Sequence, residues 1–402
     1  MRTTVKTVTF AAFIMSFMLM SLIASLMQKL PAQFMVAPDT PENFSVLKIV
    51  RATSEPQDTV MKQNGSYIAN LSIGGIIPIG KAVVNRTETR LVHLSGEPIG
   101  MKMYTEGVLV VGLTDVDHNG KNVNPASSAG IKTGDIILTV DNTPISSNFA
   151  LRRMIESSKG KAMELLVSRD SSSFRVNIKP VKSDSDGTYK AGMWVRDSTA
   201  GLGTLTFIDP TEKTFAALGH AVFDADTSVR LPVLTGQLTK ATVSSVSKAR
   251  GKSAGSLNGK IVGDSVIGII RENSDTGIYG VTDMDVSHLP IIRIAGKQEV
   301  QTGKASVLCT VKGTKPKYYD IEIKSVSYNE SQVTKNMVIE ITDAELLEVT
   351  GGIVQGMSGS PIIQNGNLVG AVTHVFLNDC SKGYAIFAEN MLTTSDSLNA
   401  AA

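Results

Sequence analysis

Gly351-Gly352-Ile353-Val354-Gln355-Gly356-Met357-Ser358-Gly359-Ser360-Pro361-Ile362-Ile363-Gln364-Asn365-Gly366-Asn367-Leu368-Val369-Gly370-Ala371-Val372-Thr373-His374 is the stretch on which the reading of this chain turns. Glycines on both sides of Ser358 let the backbone turn tightly, leave the hydroxyl uncovered and let N–H groups converge. A nucleophilic serine needs that arrangement, because the negative oxygen formed on attack has to be held by preorganised donors. The expected donors are the N–H groups of Gly356 and Ser358. The apolar run after Pro361, the Asn365-Gly366-Asn367 turn and the apolar return to His374 read as a β-hairpin. No helix pattern follows the serine, which excludes a strand-to-helix nucleophile elbow.

A serine nucleophile requires a base within hydrogen-bond reach, and imidazole suits because it titrates near neutrality. Of His93, His118, His220, His288 and His374, His220 has the most suitable setting, in Phe215-Ala216-Ala217-Leu218-Gly219-His220, an apolar strand ending at a glycine. His374 follows Ser358 on the return strand, where Thr373 and His374 would flank an extended substrate. The orienting carboxylate stays open on spacing alone. Asp343, at the end of the strand before the serine loop, competes with Asp224, Asp226, Asp264 and Asp285.

Composition narrows the class further. With 39 Lys and Arg against 37 Asp and Glu, the chain has no cation excess to neutralise a row of phosphates, so no nucleic-acid role is expected. Thirty-five glycines and only 5% aromatic residues suit short strands joined by many turns. Two cysteines, Cys309 and Cys380, make no disulfide framework, and they are expected either to pair or to stay as buried thiols. The histidines have no metal-ligand spacing, so no metal and no cofactor are expected. Thr7 to Met27 is uncharged and follows Arg2 and Lys6. As a helix it would be about 31 Å long, enough for a hydrocarbon core of ~30 Å. It reads as an uncleaved membrane anchor with the body of the protein outside the cytoplasm, a cleaved signal being the rival.

Between these ends lie three segments. Residues 31–95 read as a linker with N-terminal strands, Ile73 to Val84 supplying one or two. Residues 96–182 carry a short strand at Val108 to Val111, then Ala129-Gly130-Ile131-Lys132-Thr133-Gly134-Asp135-Ile136-Ile137-Leu138-Thr139-Val140-Asp141, then a capped helix from Asn148 to Ser157 and two strands. From about residue 186 to 396, short apolar runs recur between turn signals with no long amphipathic helix before the end, which suits a sandwich or a pair of barrels.

The 96–182 pattern resembles a PDZ domain. That resemblance implies a peptide groove in which backbone N–H groups of an Ile99-Gly100-Met101 loop receive a C-terminal carboxylate or a strand-like segment. The serine motif with its hairpin resembles the C-terminal barrel of chymotrypsin-like serine proteases, and the setting of His220 resembles the histidine site of their first barrel. The expected fold is thus mainly β: an N-terminal transmembrane helix at 1–30, the PDZ domain, then a chymotrypsin-like double β-barrel serine peptidase domain. The whole layout, with Leu218-Gly219-His220-Ala221-Val222-Phe223-Asp224 and the 351–379 stretch, resembles the stage IV sporulation protein B peptidases of spore-forming bacteria. This resemblance implies a self-cleaving serine endopeptidase with a triad of His220, Asp343 and Ser358, working between the forespore and mother-cell membranes. It also implies a protein substrate, a membrane-bound regulatory subunit of an intramembrane metalloprotease. The PDZ groove is expected to select a target, or to dock the enzyme's own cleaved tail or another copy of the chain. A membrane-tethered PDZ module with a non-catalytic barrel and a general quality-control protease are the competing readings.

Overall fold

The computed structural model describes residues 10, 13–18, 20–21, 23–24, 30, 33–38, 44–47, 50–54, 66–170 and 172–400. Of the expected membrane span, residues 10, 13–18, 20–21 and 23–24 are described, and they are helical. Among the described residues no helix is long and apolar enough to cross a membrane.

Strand β1 (Pro98–Leu113) is sixteen residues long and serves two units. Its second half, at Val108 and Leu109, pairs with Ile136–Val140, which pairs with Met163–Arg169 and through it with Ser172–Ile178. Helix α1 (Asn148–Ser157) closes this unit, burying Leu151 and Ile155 against Ile137, Val140 and Leu165. Ser147 starts the helix as an N-cap, accepting the Ala150 N–H. In the loop before the central strand, Asp135 is almost wholly buried but receives the Lys132 N–H and two Arg169 bonds. Unpaired, that carboxylate would be costly to hold inside. The strands, helix and Gly130-Ile131-Lys132-Thr133-Gly134-Asp135 turn expected for 96–182 all form.

Strand β2 (Met193–Asp209) is the second shared element. Its first residues pair with the second half of β1, and Thr199 to Thr204 pair with the first half. Strands β3 (Thr214–Ala217), β4 (Val233–Ser247), β5 (Ser256–Ser274) and β6 (Gly277–Val281) complete a ring of pairings in the order β1-β4-β5-β6-β3-β2. The ring is a six-stranded barrel filled by Ile99, Met101, Met103, Leu205, Phe215, Leu238 and Ile270. A second six-stranded barrel closes in the order β7 (Gly303–Cys309), β8 (Lys317–Val326), β9 (Met337–Ile341), β12 (Asp379–Phe387), β11 (Asn367–Phe376) and β10 (Pro361–Gln364). Helix α2 (Ala344–Thr350) leads from β9 towards the serine loop, and α3 (Ala388–Ala400) packs back on the seam between barrels. A five-stranded sheet from residues 33–86 shares the core of the second barrel, through Phe34, Val46, Ala69 and Val84.

Ile99, Gly100 and Met101 are not a loop. They lie within β1, paired with Gly203, Leu202 and Gly201 on one side and with Lys240, Thr239 and Leu238 on the other. Ile99 and Met101 are buried in the first barrel, and a side chain at Gly100 would collide with Ile261 and Thr239. With both edges paired, this segment has no N–H groups to offer a carboxylate. Cys309 and Cys380 are both free and buried.

Because β1 and β2 each run through both units, residues 96–182 expressed alone lack the Met193–Val195 edge of their sheet. That fragment is expected to give a poorly dispersed amide NMR spectrum, and a fragment of residues 106–198 a dispersed one. A well-dispersed spectrum from the shorter piece would refute the shared-strand account.

Candidate active site

The seam between the two barrels brings the serine and histidine motifs together backbone against backbone. The Thr204 N–H donates to the Ser358 carbonyl at 3.1 Å, and the Thr204 hydroxyl donates to the Gly356 carbonyl at 2.9 Å. The Thr204 carbonyl accepts the Leu218 N–H of the histidine turn at 3.3 Å, and the Thr206 hydroxyl holds the Gly359 carbonyl at 2.7 Å. Such closeness needs a glycine at 359: a Cβ there would sit 2.3 Å from the Thr204 oxygen and 2.5 Å from the Leu218 nitrogen, at φ +90°. Leu218 itself takes a left-handed φ of 67° to make the turn into Gly219 and His220.

Ser358 is half-buried, and its hydroxyl donates to the Thr373 carbonyl at 3.0 Å. The same Thr373 lies beside the histidine turn, since a Cβ on Gly219 would meet its methyl at 3.1 Å. The His374 ring packs on that of His220 with centroids 4.9 Å apart. Ser358, Thr373, His374 and His220 therefore share one seam. Among the described residues, the N–H groups of Gly356 and Ser358 donate to no protein acceptor, which leaves them available to a developing oxyanion. Gly356 holds φ at +97° at this turn.

Burial holds the His220 imidazole below its ordinary pKa, against the opposing effect of its bond to the Ala221 carbonyl. Partial burial, followed by the neighbouring His220 and Lys335, pushes His374 down to about 4 even though its edge reaches solvent. Both rings are neutral at neutral pH. The His220 Nδ1 lies 2.8 Å from the Ala221 carbonyl oxygen. A carbonyl only accepts, so Nδ1 carries the proton and Nε2 keeps the lone pair that a general base needs.

Asp343 is not brought to His220. Its carboxylate caps α2, accepting the Leu346 N–H at 2.9 Å and the Asp320 N–H at 3.4 Å. Asp224 and Asp226 are held by Arg196, and Asp285 by the Ser287 N–H. The side chain of Asp264 lies outside the described residues.

A second concave site lies between α1 and the Met193–Val195 edge of β2. It is a groove of about 780 Å³ lined by Leu151, Ile155, Tyr189, Met193, Trp194 and Val195 among others. Met193–Val195 pairs with β1 on one side, and its other side has no partner strand among the described residues. Trp194 and Phe149 stand exposed on the rim. An extended peptide could add to this edge by β-augmentation.

The family model described as SpoIVB peptidase S55 matches residues 187–392, just over half of the chain. The chain belongs to the SpoIVB peptidase S55 family. It is a serine peptidase, and a PDZ domain model matches residues 98–179 ahead of the peptidase match. Among curated proteins, tight junction protein ZO-3 of Canis lupus familiaris is 35% identical over 112 residues, 27% of this chain and 11% of that protein. The ZO-3 of Homo sapiens is 46% identical over 66 residues, 16% of this chain and 7% of that protein. The chain thus spans about a tenth of the length of the curated relatives it matches. Among solved structures, the active form of the Rv3671c protease of M. tuberculosis is 17% identical with a TM-score of 0.28, covering 50% of this chain and 74% of that one. The PDZ domain of the SdrC-like protein from Listeria monocytogenes is 23% identical with a TM-score of 0.19, covering 22% of this chain and 87% of that one.

Sequence reasoning missed Thr204 and Thr206, although two hydroxyls alternating within the apolar 203–208 run were a visible signal. Thr204→Val keeps the shape and removes only the hydroxyl bond to Gly356. It should cost about 1 kcal/mol in unfolding free energy. It should also lower the rate of labelling by a fluorophosphonate about tenfold, equivalent to ~1.4 kcal/mol of lost transition-state alignment. A labelling rate equal to that of the parent would show that Thr204 does not align the loop.

Proposed function

We propose that this peptidase is a self-cleaving serine endopeptidase of sporulation signalling. Its substrate would be a membrane-bound regulatory subunit that restrains an intramembrane metalloprotease, and loss of that subunit would let a late sigma factor mature. The site of action would be the space between the forespore and mother-cell membranes, with residues 7–27 as anchor. Family membership supports this reading, as does a PDZ domain built to read extended peptide.

The chemistry is acyl transfer. The Ser358 hydroxyl turns from the Thr373 carbonyl to His220 Nε2, passes its proton there, and Oγ attacks a peptide carbonyl. The N–H groups of Gly356 and Ser358 receive the oxyanion. His220 then returns the proton to the leaving amine, and water hydrolyses the acyl-enzyme. The substrate lies extended beside Thr373 and His374. The observation that carries the assignment is the docking of the Ser358 loop on the His220 turn through Thr204, with two N–H groups left unused. The groove beside β2 would take a strand from the target, or from a second copy of the chain, and so raise its local concentration.

Ser358→Ala in the purified full chain should abolish both self-processing and fluorophosphonate labelling. Self-processing that continues in this variant would remove Ser358 as nucleophile. The pH profile gives a separate check. Because burial lowers the folded-state pKa of His220, the neutral base persists to more acid pH. Activity should therefore be lost only as pH falls below the ordinary imidazole value of about 6.5. An acid limb above that value would contradict a buried His220 as base.

A further inference from the structure

Resting on the assignment of Ser358 as nucleophile, we propose that Leu257 is a positioning residue of the first barrel, whose backbone N–H aims the Gly356 oxyanion donor. Each donor N–H of the serine loop shares a rigid peptide unit with the carbonyl of the residue before it. In a trans unit the two point in opposite directions, and the described residues contain no cis peptide bond. Fixing the carbonyl therefore fixes where the N–H points. For the Ser358 donor that carbonyl belongs to Met357, and it accepts the Ser360 N–H at 2.9 Å within the same turn. For the Gly356 donor it belongs to Gln355, and it accepts the Leu257 N–H at 2.8 Å, from the start of β5. One donor is thus set by its own loop and the other by the opposite barrel.

The end of the β4–β5 hairpin is held against the serine loop on both sides of this bond. The Gln355 N–H donates to the Gly255 carbonyl at 3.2 Å, so that Ser256 and Gln355 form a parallel bridge. Nearer α2, the Ala249 N–H donates to the Thr350 carbonyl at 2.8 Å. Gly255 turns the chain back at φ +65°, where a Cβ would lie 2.3 Å from the Ser247 oxygen. Leu257 is buried, and a Cβ on Gly356 would meet its Cβ at 3.0 Å. Turning the Gln355–Gly356 peptide over would leave the Leu257 N–H buried without an acceptor, which is costly. It would also aim the Gln355 carbonyl where Gly356 now offers an N–H, and repel a developing oxyanion. Leu257 pairs with Val246 of β4 but spends its N–H on Gln355, so losing that N–H takes no bond from the β4–β5 ladder.

The test uses the full chain, with the saturation kinetics of fluorophosphonate labelling resolved into KI and kinact. Leu257→Pro removes the N–H, whereas Leu257→Ala removes a comparable part of the side chain and keeps it. The kinact of Leu257→Pro should fall about a hundredfold below that of Leu257→Ala, the loss expected when one oxyanion donor is removed, with KI unchanged. Equal kinact values in the two variants would overturn the proposal, because packing alone would then be at work, and so would a loss confined to KI. Hydrogen exchange in the unaltered chain gives a reading that needs no substitution. The Leu257 amide should exchange slowly before and after labelling, and the Gly356 and Ser358 amides should slow only once the phosphonyl oxygen occupies their site. A Leu257 amide exchanging as fast as that of Gly356 would refute the contact. Ser358→Ala keeps the two levels apart: labelling that survives there removes the nucleophile, while Leu257 exchange in the same variant reads the hairpin contact alone.

Discussion

In the middle of β2, Thr204 uses its N–H, its hydroxyl and its carbonyl at once, two of them on the serine loop and one on the histidine turn. The distance between nucleophile and base is thereby set by main chain, and main chain varies little when side chains repack. The arrangement constrains everything around it. Gly359 has to lack a side chain, Leu218 has to take a left-handed conformation, and Thr206 has to hold the next carbonyl along. Neither barrel could assemble the site alone, since β2 belongs to the first and the serine loop to the second.

In its resting geometry the nucleophile is occupied. The Ser358 hydroxyl is spent on the Thr373 carbonyl, at the start of the wall along which a substrate strand would lie. For Ser358 to reach His220, that bond has to break. His374, pushed down to about 4, sits neutral over His220 and adds no competing charge to the base.

Much of this was legible in the sequence. Glycines flanking Ser358 and the apolar approach to His220 marked both motifs, and the Asn148–Ser157 helix and the paired strands of the PDZ unit followed from caps and turns. Other features misled for physical reasons. Gly100 suggested a loop, whereas the glycine is there so that neighbouring strands can bring Ile261 and Thr239 over it. Asp343 looked available for catalysis, yet the Ala344-Glu345-Leu346-Leu347-Glu348-Val349-Thr350-Gly351 that follows it reads as a short helix with a glycine stop, and an aspartate before such a run is a cap. Asn273, which bonds both the N–H and the carbonyl of Val222 on the histidine turn, gave no signal, because that partner lies 51 positions away. Long-range backbone contacts of that kind leave no local pattern.

The two long strands shared by the PDZ unit and the first barrel bear on how such a protein can change over evolutionary time. Domains joined by a linker can be exchanged between genes like beads on a string. Here a crossover at either boundary would cut β1 or β2 in mid-strand and leave two sheets with raw edges. Whatever ancestor first fused these parts, its descendants inherit them as a single indivisible piece, and changes in what the groove reads have to arise by substitution within it.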